Sequence, residues 1–304
     1  MWTTRNIPNQ TGKIVIITGA HTGIGYETAF ALYNAGAHVV LACRDVDKAE
    51  AAKNKMAVHN GKGSLETACL DLGDLKSVQR FADEFSLRHK QLNVLINNAG
   101  VANTGVNAPF EPKTVDGYEQ QFGINFLGHF ALTGRLYSIL RTTSLARIIT
   151  VSSMGYQGAI IDFDNLKSEH SYDPMREYRQ SKLADMLMAI ELDRRIKVKG
   201  DQVLSIAVQP GANKTELVRH MSDEEIATGV ERIGEFMEPW QGALPSLFAA
   251  VSDDARGGNL YEPDMGGYRG YPCLATVKEN ALDPFVAKQL WALAEEVTGV
   301  QYPL

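Results

Sequence analysis

Six short apolar runs, each followed by a longer stretch that leads into helical spacing, constrain this chain more than any other feature. The runs are residues 13–18 (KIVIIT), 38–42 (HVVLA), 65–70, 94–96, 147–151 (RIITV) and 203–208. Between them, apolar periodicity predicts helices over 24–35 (stopped by Gly36), 46–59, 75–89, 116–140 and 177–197. Strands alternating with helices predict a parallel sheet covered on both faces, a doubly wound α/β fold of the Rossmann type. No repeat, low-complexity tract or linker interrupts the pattern, so residues 1–304 are expected to form one domain.

Composition removes several function classes. A 44% hydrophobic, 22% charged chain is an ordinary globular protein. Its net charge of −6 argues against a surface built to neutralise nucleic-acid phosphates, so no nucleic-acid partner is expected. Cys43, Cys69 and Cys273 are odd in number and widely spaced, which fits a reducing compartment. No His, Cys or carboxylate spacing stands out as a metal site, and no metal is expected. The N-terminus, MWTTRNIPNQTGK, lacks the apolar core of a signal peptide, and no run approaches the ~20 apolar residues of a membrane span. The expectation is a cytoplasmic, unanchored protein.

Two segments do not fit a minimal doubly wound domain, and a third extends it. Residues 154–176 are polar and turn-rich, and 262–304 form a C-terminal extension. Residues 215–240 are acidic but space Leu217, Met221, Ile226, Val230, Ile233, Phe236, Met237 and Trp240 for an apolar face. Because the last of these follows a strand end, where such sheets bind ligands, it is expected to be a lid over an apolar substrate, the alternative being a helix pair packed on the core.

Thr18-Gly19-Ala20-His21-Thr22-Gly23-Ile24-Gly25 lies between the first strand and the first helix. Glycines permit a tight turn and close approach to a pyrophosphate, and the helix N-terminus offers free N–H groups. At the end of the second strand, an NAD site would carry an acidic residue for the ribose hydroxyls. Here Cys43 is followed by Arg44, which can pair bidentately with a 2′-phosphate, so NADP(H) is the expected cofactor. His21 is a further candidate phosphate contact, Asp71 a candidate acceptor from the adenine amino group, and residues 97–100 are placed for the adenine ribose.

Tyr178 and Lys182 share a helix face. An ordinary phenol ionises near ~10, and a neighbouring cation favours the phenolate. Such a Tyr can give a proton to a carbonyl oxygen as hydride arrives, or take one from an alcohol. Ser153, ending the fifth strand, can hold the substrate oxygen. Asn125 sits inside an expected helix, where its propensity is poor. That inconsistency suggests a task, such as holding a water near Lys182 through a locally distorted backbone.

Taken in order, TGAHTGIG (18–25), Asp71, NNAG (97–100), Asn125 in NFLGHF, Ser153 in VSS, YRQSK (178–182) and PG (210–211) resemble the short-chain dehydrogenase/reductase family. The resemblance implies cofactor contacts from Gly19, His21, Thr22, Gly23, Ile24, Gly25, Arg44, Asp71, Leu72, Asn98, Ala99, Gly100, Pro210 and Gly211. It implies Tyr178 as acid/base, Lys182 on the nicotinamide ribose, Ser153 orienting substrate and Asn125 in a water-mediated proton relay. ACRD (42–45), NFLGHFALT (125–133) and SKLA (181–184) look most like the retinol dehydrogenase and protochlorophyllide reductase branch. The light-dependent members of that branch carry a cysteine where this chain has Ala184.

The reading is therefore an NADP(H)-dependent oxidoreductase acting on a small apolar carbonyl or alcohol. Light-dependent reduction of a tetrapyrrole is the alternative within the enzyme class, and a non-catalytic NADP(H) sensor the alternative outside it. Many family members pair through their two long helices. The extra 154–176 segment would obstruct that surface, so a monomer or weak homodimer is expected.

Overall fold

The computed structural model describes residues 1–104, 111–215 and 222–304, with backbone alone at 232 and 233. The first half follows the expected alternation: β1 Ile14–Thr18, α1 Gly23–Asn34, β2 His38–Cys43, α2 Val46–Ala57, β3 Ser64–Cys69, α3 Leu75–Arg88 and β4 Val94–Asn97. A π-helical turn, Phe122–Leu127, then runs into α4 Gly128–Thr142, followed by β5 Arg147–Val151, α5 Pro174–Lys199 and β6 Leu204–Val208. The remainder comprises α6 Asp223–Ile233, α7 Pro239–Gly242, α8 Leu244–Val251, β7 Leu260–Met265, β8 Arg269–Ala275 and α9 Pro284–Thr298.

The sheet order is β3-β2-β1-β4-β5-β6-β7-β8, parallel throughout except for the antiparallel β7–β8 edge. Alternate strand residues serve opposite faces. Ile16 joins a core with Val78, Phe85, Phe130 and Leu187 of α3, α4 and α5. Its neighbours Val15 and Ile17 join a second core with Ala29, Leu32 and Leu247 of α1 and α8. Strands buried on both faces need continuous apolar runs, which is why β1, β2, β5 and β6 were legible. The strand order reverses between β1 and β4, opening the crevice in which such sheets bind ligands.

Four sequence expectations are corrected. Residues 116–140 are not one helix: Gly117 takes φ +83° in a turn, Lys113 bridges Glu119, and regular helix begins only beyond them. Helix α5 starts three residues earlier than expected, at Pro174, because the Asp173 carboxylate accepts from Arg176 N. The sheet has eight strands rather than six. The two extra strands escaped because β7 and β8 carry Pro263 opposite Pro272 and turn through Gly266-Gly267.

Finally, the apolar face expected over residues 215–240 is not continuous in its described part. Gly234, at φ +81°, ends α6, and Met237 turns inward to bridge Asn213. Met237 is buried, Ile226, Val230 and Phe236 are half-buried, and Trp240 is exposed. Leu217, Met221 and the Ile233 side chain lie outside the described residues.

Candidate active site

At the end of β1 the chain must turn sharply while another strand lies against it. Gly19 adopts φ +67°, and a Cβ there would sit 3.1 Å from Ala99 Cα. A Cβ on Gly25 would fall 2.6 Å from both Gly19 O and Asn98 Nδ2, so a side chain is excluded. The Thr18 hydroxyl accepts from Asn98 N and Ala99 N, both at 2.9 Å, clamping β1 to the segment after β4. Asn97, expected with that segment, instead turns into the core and donates to Thr133 Oγ1.

A cavity of about 520 Å³ opens along this line. Every cofactor residue expected from the sequence lines it: Gly19, His21 to Gly25, Arg44, Asp71, Leu72, Asn98 to Gly100, Pro210 and Gly211. Ser153, Tyr178 and Lys182 line it too, whereas Asn125 does not. Lys48, Ile124 and Thr215 also contribute, and sequence reasoning missed them. Lys48, in the first turn of α2, could have been found from its place four residues after Arg44.

At the outer end Arg44 is exposed. Its acidic neighbour Asp45 is engaged elsewhere, capping α2 by accepting from Lys48 N at 3.0 Å and pairing with Lys48 Nζ at 3.8 Å. Cys43 stands where an acidic residue would select NAD, and burial pushes its thiol up to about 11, so it is neutral. Asp71 Oδ1 accepts from Gly73 N at 2.9 Å.

At the inner end α5 presents Tyr178 and Lys182 one turn apart. Lys182 is buried, and its ammonium donates to Val151 O at 3.0 Å and Asp185 Oδ2 at 2.9 Å. The two serines after β5 separate cleanly. Ser152 is buried and donates to Lys182 O at 2.8 Å, while Ser153 accepts from Gly155 N at 3.2 Å. A Cβ on Gly155 would lie 3.3 Å from Tyr178 Cε1 and 3.6 Å from Ser153 Oγ, so these two groups flank one point.

Asn125 occupies the π-helical turn, an irregularity common where a helix serves a site. Its side chain is fully buried and committed: Nδ2 donates to Val101 O and Ser181 Oγ, and Oδ1 accepts from Val101 N. It nonetheless stands close to Lys182. A Cβ on Gly100 would lie 3.4 Å from Asn125 Oδ1 and 3.7 Å from Lys182 Nζ. His129, one turn further, was not singled out from sequence. Its Nδ1 lies 2.7 Å from Asn125 O and its Nε2 2.9 Å from Thr18 Oγ1. A carbonyl only accepts, so Nδ1 carries the proton and Nε2 accepts from the Thr18 hydroxyl. Burial holds the ring neutral, lowering its pKa to about 4, and the charge of Lys182 works in the same direction.

Away from the cleft, folding gathers His38, Glu66 and His89 from β2, β3 and the end of α3, a cluster that no sequence spacing could signal. Both His Nε2 atoms face Glu66 Oε2, at 3.1 and 2.9 Å, and Arg88 pairs with the other carboxylate oxygen.

The pattern of the short chain dehydrogenase family matches residues 13–226, and this chain belongs to that family. It is 38% identical to human retinol dehydrogenase 11 over 291 residues, covering 95% of this chain and 86% of that protein. The values for human retinol dehydrogenase 12 are 38% over 292 residues, with 96% and 88% covered. Among solved structures, a putative uncharacterized protein from Mycobacterium paratuberculosis superposes with a TM-score of 0.83 at 36% identity, covering 100% of this chain and 99% of that one. A putative NAD(P)-dependent gluconate 5-dehydrogenase from Beutenbergia cavernae, solved with bound NADP, gives 0.65 at 25% identity, with 80% and 92% covered. Among the described residues no helix is long and apolar enough to cross a membrane.

Proposed function

We propose that this oxidoreductase uses NADP(H) and acts on an apolar carbonyl or the corresponding alcohol, with Tyr178 as its acid/base. The observation that carries this reading is a single cavity lined by Arg44 at one end and by Ser153, Tyr178 and Lys182 at the other. The cleft fits a dinucleotide: the turn around Gly19 and Gly25 has no room for a Cβ, and the N-terminus of α1 opens onto it. Arg44, with Lys48 beside it, would hold a 2′-phosphate, Asp71 and Leu72 the adenine end, and Lys182 the nicotinamide ribose. Bound NADPH supplies a hydride.

Ser153 donates a hydrogen bond to the substrate oxygen and positions it against Tyr178. Tyr178 passes its proton to that oxygen in reduction and recovers one in oxidation. Lys182 keeps positive charge beside the phenol, and Asn125, next to Lys182, connects the pair to the proton supply. Residues 222–240, in the described part of the expected lid, close over the substrate. The relatives' names make retinal and retinol the first substrates to try.

The test is NADPH oxidation in the dark with retinal and a panel of apolar aldehydes, ketones and quinones, comparing the protein with its Tyr178→Phe variant. The expected loss in the variant is about 10²–10⁴-fold in kcat, with NADPH binding retained. Activity that survives the substitution would overturn the acid/base assignment. Turnover that requires light would favour the tetrapyrrole chemistry instead.

A further inference from the structure

Among the described residues Asp185 is the one ionisable side chain in hydrogen-bond contact with Lys182, and the mechanism above leaves it without a task. It lies on α5 one turn beyond Lys182 and is about 1% exposed. Its Oδ2 accepts from the ammonium at 2.9 Å, while Oδ1 is buried with no hydrogen-bond partner. A buried ion pair seldom stabilises a fold better than neutral residues of the same size, and an unsatisfied buried oxygen makes this one worse. Packing therefore gives no account of an acid at this position.

The ammonium has three protons. Val151 O takes one at 3.0 Å and Asp185 takes the second, which leaves the third directed by those two contacts. Among the described residues the charged and titratable groups around the pair are few. Tyr178 lies one turn back along α5, His129 faces it from α4 as a neutral ring, and β5 offers only the Val151 carbonyl and the Ser152 hydroxyl. Within this small set, the ionisation of Asp185 decides whether the site beside Tyr178 carries one net positive charge or none.

Resting on the proposed acid/base role of Tyr178, we propose that Asp185 is a positioning residue that anchors Lys182 and offsets its charge, and so sets the pH at which Tyr178 exchanges its proton. Burial drives the Asp185 carboxyl up to about 7, against the pull of Lys182, so this offset changes near neutrality. Below that pH the protonated acid leaves the full charge of Lys182 acting on the phenol. Above it the carboxylate cancels much of that charge.

The experiment uses Asp185→Asn in the full chain, which keeps the shape and an oxygen for Lys182 but removes the charge. Kinetically, the ascending limb of the pH profile for alcohol oxidation should move to lower pH by about one unit, a rate gain of about tenfold on the limb that shrinks towards the plateau. Spectroscopically, the phenolate absorbance of Tyr178 is isolated as the difference between each protein and its Tyr178→Phe counterpart, and should appear at correspondingly lower pH. That second reading needs no substrate, so it stands even if the protein turns over nothing and the proposed activity fails. Asp185→Ser, also neutral, must move both readings the same way. Loss that is uniform across pH, or a limb and absorbance that do not move in either variant, would overturn the proposal.

Discussion

The two ends of the cleft are built on opposite principles. At the outer end Arg44 and Lys48 stand in solvent, and Asp45, next to Arg44 in sequence, caps a helix. At the inner end Lys182, Asp185, Asn125 and His129 are all buried, and each is bonded to another part of the fold. Charges in water are screened and replaceable, whereas buried polar groups are expensive to leave unpaired. The outer end can therefore change its preference without consequences for folding. The inner end cannot change without disturbing the scaffold.

The sharpest way to break this contrast is His129→Leu. The ring joins the Thr18 hydroxyl, which clamps β1 to β4, to the carbonyl of Asn125 in the π-helical turn. Its removal strips two buried groups of a partner and should cost about 2–5 kcal/mol, read by denaturant unfolding. A pH signature should accompany the loss. The folded-state pKa, about 4, lies below the ordinary histidine value of 6.5, so the unfolded chain binds the extra proton between these limits. Stability from this residue is full above pH 6.5 and falls as pH drops towards 4, by up to about 3 kcal/mol. Glu119 and Asp185, both raised to about 7, slope the other way, so the quantity to measure is the difference between protein and variant across that window. A flat difference would mean that the fold does not hold the ring neutral, and an unchanged stability that the inner end tolerates change as the outer end does.

Arg44→Asp sharpens the contrast from the other side. The substitution replaces a phosphate partner with a repelling carboxylate, and the NADPH/NADH affinity ratio should fall by about 10–100-fold, the worth of one or two charge-assisted hydrogen bonds. Because Arg44 is exposed, unfolding stability should stay within about 0.5 kcal/mol. Fluorescence titration with both dinucleotides checks the first statement and a melting curve the second. An unchanged ratio would remove the basis for NADP(H) preference.

The contrast also explains what could be read from sequence. Glycine spacing, the continuous apolar runs of β1 and β2, and the four-residue step from Tyr178 to Lys182 are local signals, and each maps directly onto the cleft. Even the misfit of Asn125 with helix propensity pointed to the π-helical turn that it occupies. The illegible part is what tertiary packing assembles. Asp185 and His129 look like ordinary polar helix residues until the fold buries one on Lys182 and the other on Thr18. The β7–β8 hairpin fell outside the pattern because a half-exposed edge needs neither alternation nor an unbroken ladder.

A null effect, on mass, is expected at the C-terminal extension and the outer faces of α4 and α5. The sequence suggested that residues 154–176 would block helix pairing there, and the segment does lie against the first turns of α5, where Asp162 N donates to Gln180 Oε1. Helix α9 does the covering. Trp291 meets Phe130 of α4 edge-on at 4.9 Å and lies under Arg195 of α5 at 4.3 Å, while Tyr302 donates to Phe130 O. A face so filled by its own chain has little apolar surface left for a second copy. Light scattering at micromolar concentration should give the mass of one chain. Trp291→Ala should lower stability by about 3–5 kcal/mol without changing that mass. A dimer that survives Trp291→Ala would have to pair elsewhere, with the exposed edge of β8 the first place to look, and a dimer that dissociates in the variant would reinstate the α4–α5 face as an interface.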